Sequence, residues 1–155
     1  MIQYSWKVKA TLQTRKVILM KITKIYTDAC PFNPCGQGGI EFNDGSVLID
    51  LHEQDCCENV YADFSNLDSD IMSYDFKGMI KIEKAKNGFK FGDSRRWFFV
   101  PCYNVQNGYY SDTLDIAYGQ CVHIITHYNK KGPVYKYKFI PQFTLKNCPV
   151  EDDIY

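Results

Sequence analysis

Polar and apolar residues trade places at every second position through much of this chain. Tyr4, Trp6, Val8, Ala10 and Leu12 alternate with polar neighbours, and Met20, Ile22 and the residues to Tyr26 alternate again. This is the period of a strand with one buried face. Met20 would also serve as an initiation residue, so residues 1–19 read either as an appended strand or as an upstream extension. Residues 30–39 hold two prolines and three glycines, which excludes a helix or a central strand. Ile40 to Phe42, the turn Asn43-Asp44-Gly45 and the run Ser46 to Leu51 form a predicted hairpin, because Asp-Gly tolerates the positive φ of tight turns. In its second strand Val47, Ile49 and Leu51 share one face, and Leu48, Asp50 and His52 the other.

Further strands are predicted over 60–64, 79–82, 96–105, 114–118, 121–127 and 134–140, with turns at Asn87-Gly88 and Asn107-Gly108. Residues 65–72 are rich in Ser and Asp, and Leu67 and Ile71 stand four apart, which fits one short helix. The expected fold is mainly β, or α+β with that one helix: a single compact antiparallel sheet, a sandwich or a partial barrel. A length of 155 residues fits one domain spanning 1–155, with 151–155 as a loose tail.

Composition narrows the class. Aromatic residues are 15% of the chain, which favours rings packed on pleated surfaces. Lys plus Arg equals Asp plus Glu at 18 each, so overall charge gives no nucleic-acid signal and leaves only a local basic patch to supply one. No apolar run approaches the length of a membrane span, and the first nine residues lack the apolar stretch of a signal peptide. The expectation is a cytoplasmic protein with reduced thiols. Seven cysteines cannot all pair within one chain.

The densest chemistry lies in Leu51-His52-Glu53-Gln54-Asp55-Cys56-Cys57-Glu58-Asn59-Val60, between two strands. His52 can shuttle protons or ligate metal. Asp55 and Glu58, three apart, suit a capped turn. Cys56 and Cys57 are neighbours, so in extended chain they face opposite ways. Two readings stand: a site in which His52, Gln54, Asp55 and Glu58 meet a ligand, or a hydrogen-bonded corner that fixes strand register. Cys30 and Cys35 in the Pro/Gly loop could begin a zinc site completed by His52, Cys56 and Cys57, although the spacing is not that of a standard zinc motif. Without zinc no cofactor is expected. His123 and His127 stand four apart on a predicted strand, about 13 Å, too far for one ion. Arg95, Arg96 and Trp97 could stack on a base, or form a solvated strand end.

Two segments carry a resemblance. One is the hairpin Asp44-Gly45 leading to His52-Glu53-Gln54-Asp55-Cys56-Cys57-Glu58-Asn59-Val60, and the other is Asn107-Gly108-Tyr109-Tyr110-Ser111 after the aromatic strand at Trp97. Together they resemble a domain family of unknown function common in bacteriophages and prophages, with an H-x-Q-D-C-C-E-x-V motif and a later N-G-Y-Y-S motif. The likeness covers residues 40–117, and the segment between Trp97 and Asn107 is shorter than the family pattern. It implies a phage-encoded, β-rich domain in a host cytoplasm and no established activity. The reading on which these points converge is a binding module for a small ligand or protein partner, acting on a host process, with Tyr109, Tyr110 and Ser111 beside the corner. A zinc protein or metal-dependent enzyme using the His52–Glu58 cluster is the alternative, and the residues favour a non-enzyme. Composition does not separate a virion structural protein from these.

Overall fold

The structure, a computed structural model, describes residues 19–35, 37–54, 58–105 and 113–152. Alternation becomes strand almost everywhere. The elements are β1 (Leu19–Met20), β2 (Ile22–Tyr26), β3 (Gly39–Phe42), β4 (Ser46–Asp50), β5 (Val60–Ala62), β6 (Phe76–Lys77), β7 (Lys81–Ala85), β8 (Gly88–Gly92), β9 (Trp97–Asn104), β10 (Thr113–Asn129), β11 (Gly132–Pro149) and β12 (Glu151–Asp152). One five-stranded sheet runs β11-β10-β4-β3-β2, a second runs β12-β9-β8-β7 with β5 also on β9, and β1 pairs with β6. The fold is mainly β, as expected, and the described residues form three sheets and no closed barrel.

The Asp-Gly hairpin forms as the sequence predicts. Gly45 takes φ +85°, and the Asp44 carboxylate accepts the Ser46 N–H at 2.9 Å. β3 and β4 pair antiparallel with Ile40 opposite Leu48. Both faces of β4 are buried. Leu48 joins the main core, while Val47 and Ile49 pack with Cys30 and Ala117 in a smaller one.

The main core is aromatic. Phe42, Phe64, Phe76, Phe89, Phe91 and Phe98 are all fully buried. Phe76 sits at their centre, with ring centroids 5.9 Å from Phe91, 5.6 Å from Phe98, 5.9 Å from Phe42 and 4.8 Å from Tyr74. Such edge and offset contacts are the favoured geometries of ring pairs.

Four departures have physical causes. Residues 65–72 do not form the predicted helix; a single 3-10 turn, Ile71–Ser73, stands at the end of the segment. Upstream, the Asp63 carboxylate accepts the Ser65 N–H at 2.9 Å, and short polar side chains that bond local backbone compete with helix. β8 was not expected, because only Phe89, Lys90 and Phe91 lie between its glycines, too few to show a period. Gly88 is required there: a Cβ would fall 2.2 Å from the Val100 carbonyl oxygen. Residues 151–152 are not loose but pair parallel with Tyr103–Asn104. The predicted strands at 114–118, 121–127 and 134–140 merge into one hairpin of 17 and 18 residues, β10 and β11. Its register shifts between Tyr118 and Gly119, where Gly119 lies opposite Pro141. The bulge lets the ribbon pass a proline that cannot donate to a ladder.

The predicted strand at residues 4–12 and the Asn107-Gly108 turn lie outside the described residues. Among the described residues no helix is long and apolar enough to cross a membrane.

Candidate functional site

β4 ends at Asp50, and the chain turns across the corner to enter β5 at Val60. Two side chains, Asp50 and Gln54, bond across to β5, and Asn33 supports the first of them. Asp50 is fully buried; its carboxylate accepts the Ala62 N–H at 2.9 Å and an Asn33 amide N–H at 3.3 Å. Asn33 also donates to the Asp50 carbonyl at 2.9 Å and to the Gly38 carbonyl at 3.1 Å, so the Pro/Gly loop is fastened to the same strand end. Gln54 bonds both backbone groups of Val60, donating to its carbonyl at 2.6 Å and accepting its N–H at 2.9 Å. A side-chain amide thus stands where a neighbouring strand would.

His52 Nε2 lies 2.9 Å from Glu58 Oε1, and their side chains are 15% and 2% exposed. The pair is therefore largely removed from water, where a partner is obligatory for a charge. Asp50, His52 and Glu58 carry ionisable character from the interior to the surface. Burial raises the Asp50 carboxyl to about 6, against the opposing pull of the Ala62 N–H, Asn33 and the His52 charge.

The sign of the resulting pH dependence follows. The unfolded carboxyl ionises near ~3.9, so between there and about 6 the folded chain keeps a proton that the unfolded chain has released. This contribution is fully present below pH ~4 and is lost as pH rises to about 6. Urea unfolding of wild type and Asp50→Asn across pH 4 to 7 is expected to show wild type losing on the order of 2 kcal/mol relative to the variant over that window. A flat difference would show that Asp50 is already ionised at pH 4.

Beside the corner is a cleft of about 240 Å³ lined by His52, Glu53, Thr113, Asp115 and Asn147, with Leu51 and Leu114 behind. Its far wall is the base of the β10–β11 hairpin. There Asn147 takes φ +57°, its N–H donating to the Asp115 carboxylate at 3.0 Å, and Leu51 N–H donates to the Asp115 carbonyl at 2.9 Å. The Lys146 ammonium lies 3.8 Å from Asp115 and is 73% exposed.

Of the residues singled out in the sequence, His52, Gln54 and Glu58 meet at this corner. Asp55, Cys56, Cys57, Tyr109, Tyr110 and Ser111 lie outside the described residues. Cys30 is buried against Val47, Ile49 and Ala117, and Cys35 Sγ donates to the Leu51 carbonyl at 3.3 Å. Burial raises both thiols above their ordinary range. Among the described residues no three of His, Cys, Asp and Glu gather as a metal set, and the five described cysteines are free thiols. His123 and His127 are exposed on β10. Arg95 and Arg96 are held by Asp93, Asp68 and Asp70, and Arg96 lies over the Phe98 ring.

Asp50, Asn33, Asp115 and Asn147 were not singled out as site residues. Asp50 sits two residues before His52 on a strand, so its shared face with His52 was the signal available. A larger cleft of about 750 Å³, lined by Met20, Ile80, Ile82, Tyr118 and Phe143, also went unforeseen. Its Tyr118 hydroxyl donates to Ser46 at 2.8 Å, and Asp44, Lys81 and Glu83 are the ionisable residues on its rim among the described ones.

No family model, curated protein or solved structure matches this chain, which leaves its own geometry and the two sequence motifs as grounds for a functional reading.

Proposed function

We propose that this chain is a β-rich binding module of phage or mobile-element type, and that the corner cleft takes a small polar ligand carrying a protonated amine. The carrying observation is the cleft itself: the Glu53 and Asp115 carboxylates line it beside an imidazole held by Glu58. Rigid side chains make a site selective, and here Gln54 and Asp50 fix the backbone behind it. The Lys146 ammonium beside Asp115 is the kind of group the wall accepts, and it competes for the same carboxylate. The motif resemblance supports the setting, a phage-encoded protein acting on a host process through such a ligand or through the lysine of a partner protein.

Titration of the labelled protein with n-butylamine and putrescine, followed by amide NMR, is the test. Shifts are expected at His52, Glu53, Thr113 and Asn147, saturating in the millimolar range. Lys146→Met is expected to tighten the response about three-fold and Asp115→Asn to weaken it about ten-fold, as loss of a charge-assisted contact does. Shifts spread evenly over the surface, or unchanged in Asp115→Asn, would remove the cleft as the site.

A further inference from the structure

The charge of this neutral chain is unevenly placed. From Gly119 to Pro149 there are five lysines, Lys130, Lys131, Lys136, Lys138 and Lys146, and no Asp or Glu. The rest of the chain carries thirteen basic and eighteen acidic residues. A basic excess therefore lies on the β10–β11 hairpin, as another does on residues 1–27, which hold six basic residues and no Asp or Glu. Composition averaged over the whole chain hides it.

The hairpin also leaves the body of the protein. β10 pairs with β4 only as far as Gln120, opposite Ser46. Beyond Cys121, β10 and β11 pair only with each other among the described residues, over a reach of about 26 Å at the rise of a strand. A two-stranded ribbon in water is marginal by itself, so large side chains left on one ask for a covering surface. Tyr128 is 71% exposed, Tyr135 54% and Tyr137 46%.

The rings are ordered along the arm. Tyr137, opposite His123, meets Phe32 of the body at 4.7 Å and the His123 ring at 4.7 Å, and His123 meets Tyr135 at 5.8 Å. Phe32, Tyr137, His123 and Tyr135 thus form a row leading outward. Lys136 and Lys138 alternate with the tyrosines, and Lys130 and Lys131 make the tip. β11 is an edge strand, so long lysine side chains on it can reach to either side.

We infer that the β10–β11 arm is a binding surface for single-stranded nucleic acid, with the lysines along the phosphates and Tyr128, Tyr135 and Tyr137 stacking on bases. A cationic track interleaved with aromatic rings is the arrangement that unpaired strands require. A duplex fits less well, because its bases already stack on each other and leave the tyrosines without partners. A second copy of the chain docking arm against arm would bring like charges together.

Fluorescence anisotropy of the full chain with labelled oligo-dT of twenty nucleotides tests this. Affinity is expected to fall roughly fifty-fold between 50 and 200 mM salt, the slope for about four phosphate contacts to a single strand. Lys136→Gln with Lys138→Gln should weaken binding and flatten that slope. Tyr135→Ala should weaken binding roughly ten-fold and leave the slope unchanged. Lys84→Gln with Lys86→Gln, exposed on the body, should change neither. Circular dichroism of each variant separates lost binding from lost folding. Equal affinity for duplex DNA would overturn the stacking role. No binding at 50 mM salt, or light scattering showing a dimer that survives that salt and shields the arm, would overturn the assignment altogether.

Discussion

Phe76→Ala is expected to remove about 4 kcal/mol of stability, a large part of what a domain of this size possesses. Phe76 is fully buried and meets Phe42, Tyr74, Phe91 and Phe98 at once. Phe42, Phe91 and Phe98 come from three separate strands and cannot collapse together into the vacated space. The loss therefore combines the transfer of the ring with the energy of a cavity. Chemical denaturation gives the value directly. A loss under about 1.5 kcal/mol would mean that the surrounding rings repack, as happens where a core tolerates a change of volume.

Asp93→Ala is expected to cost about 3 kcal/mol, through a different mechanism. The Asp93 carboxylate accepts the backbone N–H groups of Lys77, Arg95 and Arg96 at 2.8, 2.9 and 3.1 Å and the Tyr74 hydroxyl at 2.8 Å. It thereby ties β6 to the turn between β8 and β9. The side chain is 1% exposed, so alanine leaves several donors without an acceptor. Burial alone would raise the carboxyl, but the Lys77, Arg95, Tyr74 and Arg96 donors outweigh it and hold it far below the usual range. Its stabilising contribution is therefore complete above pH ~4 and is lost as pH falls below that value toward the folded carboxyl's own titration. Acid titration of unfolding should show wild type and Asp93→Ala converging as pH falls. Parallel curves down to pH 2 would mean that the carboxylate is not what binds the turn.

Much of the first sheet was legible because its signals are local. Asp44-Gly45 fixes a turn by backbone preference, and Val47, Leu48 and Ile49 place the strand after it. The corner was legible as a cluster, since His52, Gln54 and Glu58 crowd one short segment. What they do there was not legible. Gln54 bonds Val60 and Asp50 caps Ala62 only because β5 returns beside β4, which is a matter of tertiary path. The far wall of the cleft comes from Asp115 and Asn147, some sixty to ninety residues away in sequence. The long arm escaped notice for one reason. Gly119 and Pro141 read as strand breakers one at a time, and become a tolerated bulge only when they stand opposite each other.

The pairing of β4 with β10 has a kinetic consequence. It sets Ile49 against Ala117. The arm closes through its own short turn, whereas this central seam must join chain segments nearly seventy positions apart. Loop closure of that length has to be met before the contact returns any stability, so the arm should zip early and the seam should limit the rate of folding. A newly made chain would then carry a fraying cationic ribbon that becomes lasting only when the seam closes beneath it, and the order of assembly would run from the tip of the molecule inward.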